Sequence, residues 1–99
     1  MKLIETNNQL VQQAKSVKPV WSGTNGKILN IQLRKGEEVA EHDADMEVLI
    51  IVRKGTVRFT VEGEPVSVTA ETVLHMAPFE KHSLYAETDA DVCVVQLAP

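Results

Sequence analysis

Two histidines stand in stretches whose spacing invites chemistry. His42 lies within GEEVAEHDADMEVLIIVRKG, residues 36–55, and His82 closes AETVLHMAPFEKH, residues 70–82. A neutral imidazole ligates most divalent transition metals, and one near its ordinary pKa serves as acid or base near pH 7. A firmly held ion needs about three protein ligands. Beyond the two histidines, the candidate donors are Asp45, Glu47 and His75. Acid–base catalysis needs an activating partner, and nothing beside either histidine supplies one, so no catalytic residue is assigned. There is no G-x-S-x-G elbow, P-loop or dinucleotide fingerprint.

The elements that must carry these side chains read as strands. TVRFTV sets Val57, Phe59 and Val61 against Thr56, Arg58 and Thr60, the alternation of a half-buried strand. KILNIQL sets Leu29, Ile31 and Leu33 against Ile28, Asn30 and Gln32. Glu62-Gly63-Glu64-Pro65 breaks the pattern as a hairpin turn, with Gly63 supplying a positive φ; PVSVT then resumes it with Val66 and Val68 inward. TVLHM, HSLYAE and DVCVVQL follow, separated by turn residues. VLIIV is apolar at every position, as in a strand buried on both faces. Before the strands, Leu3, Ile4, Leu10, Val11 and Ala14 form a loose stripe that fits a short helix over Ile4 to Lys15, or an arm, ended by Pro19. About eight short strands with regular turn signals predict an all-β sandwich or barrel.

With that pattern on the page, the sequence resembles the cupins, small jelly-roll barrels also described as a double-stranded β-helix. Their first motif runs from a glycine through a His-x-His pair and a glutamate to a second glycine; Gly36, His42 and Gly55 match it. Their second motif ends in a histidine, matched by His82, although Glu71 replaces its glycine, and Ala77 its proline, with Pro78 one place late. The resemblance covers residues 27–97. It implies a barrel over 27–99, with 1–26 as N-terminal helix or arm and first strand, in one structural domain. It also implies a metal held by four side chains, of which His42 and His82 are present. Ala44 and Val48 occupy the other two positions. Rescue by Glu47 requires a bulge, since one residue's step turns a strand side chain over. Alternation sets His75 on the face opposite Leu74 and Met76. The resemblance further implies a homodimer, and pairing of apolar edge strands across a two-fold would serve it.

These readings favour binding of a small organic ligand in an apolar barrel pocket. His42 and His82 would be its polar contacts, and Val48, Ile50, Met76, Phe79 and Trp21 its walls. In this reading no ion is tightly bound. One alternative is a metal-dependent enzyme, dioxygenase- or isomerase-like, holding a divalent transition metal in a nonstandard shell with His75 or Glu47. Another is a regulatory or association module with a relic pocket. Cys93, between two valines, reads as an inert packed thiol. The chain has 99 residues, 43% of them hydrophobic, enough for one modest core. A net charge of −4 without basic runs argues against nucleic acid and anionic membrane as partners. VLIIV is far short of a membrane span. MKLIETNNQLVQQ lacks a signal-peptide core, and Cys93 has no internal partner, so a cytoplasmic location is expected.

Overall fold

Period-two stretches become nine strands in a computed structural model that describes all 99 residues, Met1–Pro99. They are β1 (Lys15–Gly23), β2 (Gly26–Leu33), β3 (Glu38–His42), β4 (Glu47–Lys54), β5 (Val57–Val61), β6 (Glu64–Val68), β7 (Val73–Met76), β8 (His82–Ala86) and β9 (Ala90–Leu97). One sheet runs β1-β2-β9-β4-β7 and the other β3-β8-β5-β6, with antiparallel pairing throughout. The two inner faces enclose a core of 14 buried apolar residues, with Phe59, Leu33 and Val57 wholly enclosed. This is an all-β jelly roll, as the strand pattern predicts.

Two glycines make the turns possible. Glu62 (φ 48) and Gly63 (φ 84) form a two-residue hairpin loop with both φ positive, the type I′ geometry that matches strand twist. Gly55 sits at φ 86, and a Cβ there would collide with the Asp89 carbonyl.

Three expectations change. No helix forms over Ile4 to Lys15; the segment is an extended arm with one turn at Leu10–Gln12. An isolated helix of that length is marginal, and β2 offers better partners. Gln32 accepts from the Gln9 amide at 2.8 Å and donates to the Asn7 carbonyl at 2.9 Å, while Arg34 donates to the Leu10 carbonyl. Gln32 is therefore buried beneath the arm, and Asn30 is buried beside it, bonded to Asp91 and Gln32. VLIIV is not buried on both sides: Val48, Ile50 and Val52 enter the core, but Ile51 is exposed and Leu49 half-buried. Val66 shares the inward face of β6 with Val68, yet it stands exposed on a sheet edge. β1 joins the five-stranded sheet by pairing along β2 from Lys15 to Gly23, so the barrel includes it.

Candidate functional site

Simple alternation would not bring the two histidines together. Val39 lies opposite Leu84, so an unbroken β3 would set Glu41 opposite His82 and turn His42 away. The register shifts between Val39 and His42, and this irregularity places His42 directly across from His82. The ring centroids lie 4.2 Å apart at an interplanar angle of 64°. His82 is buried and His42 exposed, so the pair marks one end of the barrel, reached from outside through His42.

Each ring is tied to its own strand in the same way. Nδ1–H of His42 donates to the Ala40 carbonyl at 2.9 Å, and Nδ1–H of His82 to the Glu80 carbonyl at 3.0 Å. A carbonyl only accepts, so the proton of each neutral ring sits on Nδ1. Nε2 of both rings then carries a free lone pair. Burial pushes the His82 pKa below its ordinary value. The Glu80 carbonyl opposes that shift, the nearby His42 adds to it, and Asp43 and Glu80 oppose it by their charge. Neutral imidazoles therefore dominate at the buried half of the pair near pH 7.

The adjoining loop is built around Phe79, which the sequence offered as a pocket wall, and Glu80, which it did not single out. Glu80 accepts from the Ala77 amide through its side chain at 2.7 Å, while its carbonyl holds His82. The Phe79 amide donates to the Ala44 carbonyl at 2.7 Å, joining the loops that carry the two histidines. Phe79 sits at φ 68, a costly conformation for a non-glycine residue, with its ring exposed. The one sequence signal for Glu80 is its place two residues before His82.

The remaining candidates fall elsewhere. Val48, Ile50 and Met76 are fully packed core residues, and none of the four cavities in the molecule is lined by them or by either histidine. The expected apolar pocket inside the barrel is filled by side chains. Trp21 pairs with Ile28 on the face of the five-stranded sheet turned away from the core, beside Lys2 and Lys27, so it walls no barrel pocket. His75 pairs with Leu49 on that same outer face, and its Nε2 lies 3.1 Å from Glu47 Oε1. Thus His75 and Glu47 form their own pair across the sheet from His42 and His82. Asp45 is exposed, and nowhere do three or more His, Cys, Asp or Glu side chains gather as a metal would require. The positions where the resemblance implies further ligands hold the methyl of Ala44 and the buried hydrocarbon of Val48. This donor set does not fit the metal shell of the resemblance. Cys93 is half-buried on the outer face, opposite Asn30 and Ile51.

Comparison with known proteins agrees with this architecture. No curated protein matches the chain. Among solved structures it is similar to an RmlC-like cupin with a double-stranded β-helix fold from Methanocaldococcus jannaschii. That match has a TM-score of 0.86 at 21% identity, covering 99% of this chain and 91% of the other. A conserved protein of unknown function from Streptococcus pyogenes matches at 0.81 and 19% identity, covering 100% and 96%. A cupin superfamily protein from Desulfitobacterium hafniense matches at 0.80 and 17% identity, covering 97% and 84%. No helix of the structure is long and apolar enough to cross a membrane. The model of the AraC-like ligand-binding domain matches residues 32–99, and the chain belongs to that cupin family.

Proposed function

We propose that this domain binds a small organic ligand at the end of the barrel marked by His42 and His82, rather than in its interior. The observation that carries this reading is the pair of imidazoles whose Nδ1 hydrogens are both spent on backbone carbonyls. While both rings are neutral, such a pair offers two acceptors and no donor. It suits a ligand that presents a hydroxyl or amine, and it disfavours a carboxylate or phosphate. The exposed Phe79 ring, whose loop is bonded to the His42 loop through Ala44, supplies apolar surface nearby. In this reading the metal site is degenerate, and the protein works in the cytoplasm.

The test is a fragment screen read from the histidine ring resonances by NMR. Alcohols and amines on an apolar body should shift both His42 and His82, while matched carboxylates should not. His42→Ala and His82→Ala should each weaken binding about three- to tenfold, the worth of one hydrogen bond. Binding that leaves both rings unshifted, or that survives both substitutions, would overturn the reading.

A further inference from the structure

The N-terminal arm does more than cover Gln32. Between the arm and the adjoining ends of β4 and β9 lies a cavity of about 200 Å³. Thr6, Asn8 and Leu10 of the arm form one side of it. Gln32, Lys54 and the run Asp89-Ala90-Asp91 form the other. Neither His42 nor His82 lines it, so it is separate from the histidine end of the barrel.

Most of the polar groups in this cavity are already spent. Gln32 uses its Oε1 on the Gln9 amide and its Nε2 on the Asn7 carbonyl and on Asn30. Arg53 donates to both oxygens of Asp91, at 2.9 and 2.7 Å, and Asn30 donates to one of them. The charge of Asp91 is thereby matched within the chain. One charge of each sign is left over. Lys54 forms no ion pair. Asp89 Oδ1 accepts from the Lys35 amide at 2.8 Å, but its charge has no cationic side chain as partner. Two neutral donors accompany them. Thr6 meets Arg53 through its carbonyl, leaving its hydroxyl. Asn8 spends Oδ1 on the Leu10 amide at 2.9 Å, leaving its Nδ2 hydrogens.

We propose that this cavity is a second binding site, for a small zwitterion of the amino-acid class. Opposite charges that line one cavity without pairing are complementary to a ligand that carries both. The ligand carboxylate lies toward Lys54, with Thr6 and Asn8 as added donors, and the ammonium toward Asp89. A plain anion would leave Asp89 unmatched, and a plain cation would leave Lys54. Size and polarity limit the occupant further. Drug-sized ligands fill about 300–1,000 Å³, more than this cavity holds, and its only apolar residues are Leu10 and Ala90. A short side chain is therefore expected. Because the arm forms one side of the site, an occupant that touches both sides also holds the arm in place.

Titration of the full chain with alanine, followed by amide NMR, tests this. Alanine should shift the side-chain amides of Asn8 and Gln32 saturably, with a Kd of about 1 mM or tighter. It should also slow hydrogen exchange at the Gln9 amide. Propionate and ethylamine each carry half of alanine and should bind about three- to tenfold more weakly. Lys54→Met should weaken alanine binding by a similar factor. So should Asp89→Asn, which keeps an acceptor for the Lys35 amide. Lys27→Met, at the far end of β2, should change nothing. The proposal is overturned by the absence of a saturable shift at Asn8 and Gln32, by propionate or ethylamine binding as tightly as alanine, or by undiminished affinity in both cavity variants. Shifts confined to the His42 and His82 rings would place alanine at the barrel end and overturn it too. The ligand reading at the histidines is scored on those ring resonances alone, so the two readings fail independently.

Discussion

At His82, opposing influences set one charge state. Burial lowers its pKa more than the Glu80 carbonyl and the nearby acids raise it. The unfolded chain, with an ordinary imidazole near pH 6.5, therefore takes up its proton first as pH falls. Neutral burial of His82 contributes stability in full above about pH 6.5, loses it as pH drops toward the folded pKa, and changes no further below. Urea unfolding across that window should show stability rising with pH in the wild type, with a smaller slope in His82→Gln. Equal slopes would assign the acid sensitivity to another group. His42 was as visible in the sequence as His82, but their meeting was not. It depends on an irregularity in β3 that inserts a step between Val39 and His42, and nothing in the composition of AEH announces it.

Elements were legible where a strand faces water on one side. Val57, Phe59 and Val61 alternate in sequence and enter the core in fact, Val61 only partly, and the Glu62-Gly63 turn has the backbone its residues suggest. Two elements misled, each because its surroundings are set outside its own stretch of sequence. The arm carries a helix-like stripe, but the groups that hold it extended are Gln32 and Arg34 on β2. VLIIV looks buried on both faces because its outer side has no cover within the chain. The arm's dependence on Gln32 is testable. Gln32→Leu removes three bonds, including one to Asn30 Oδ1, and leaves buried groups without partners. A loss of about 2–3 kcal/mol is expected in urea unfolding. Amide exchange at Gln9 should quicken more than exchange in β5, because the arm loosens before the barrel. Uniform quickening would mean that Gln32 holds the whole sheet rather than the arm.

For the whole molecule, the question is what stabilises the barrel's centre. A bound ion at one hundred times its dissociation constant would add about 2.7 kcal/mol. Here that region is hydrocarbon: Val48 pairs with Met76 across β4 and β7, and both are enclosed, as are Ile50 and Phe59. Each large apolar side chain of this kind contributes about 1.5–3 kcal/mol by leaving water. The stability of such a barrel should rest on these residues and not on two imidazoles at its rim. Two melting experiments separate the cases. Phe59→Ala should cost about 3–5 kcal/mol and lower Tm steeply. Chelator treatment of untagged protein should leave Tm unchanged, because His42 and His82 have no third side-chain donor within reach. A large fall in Tm on chelation, abolished by His42→Ala, would mean that an ion completes its shell with solvent or ligand atoms and that the centre of the barrel relies on it.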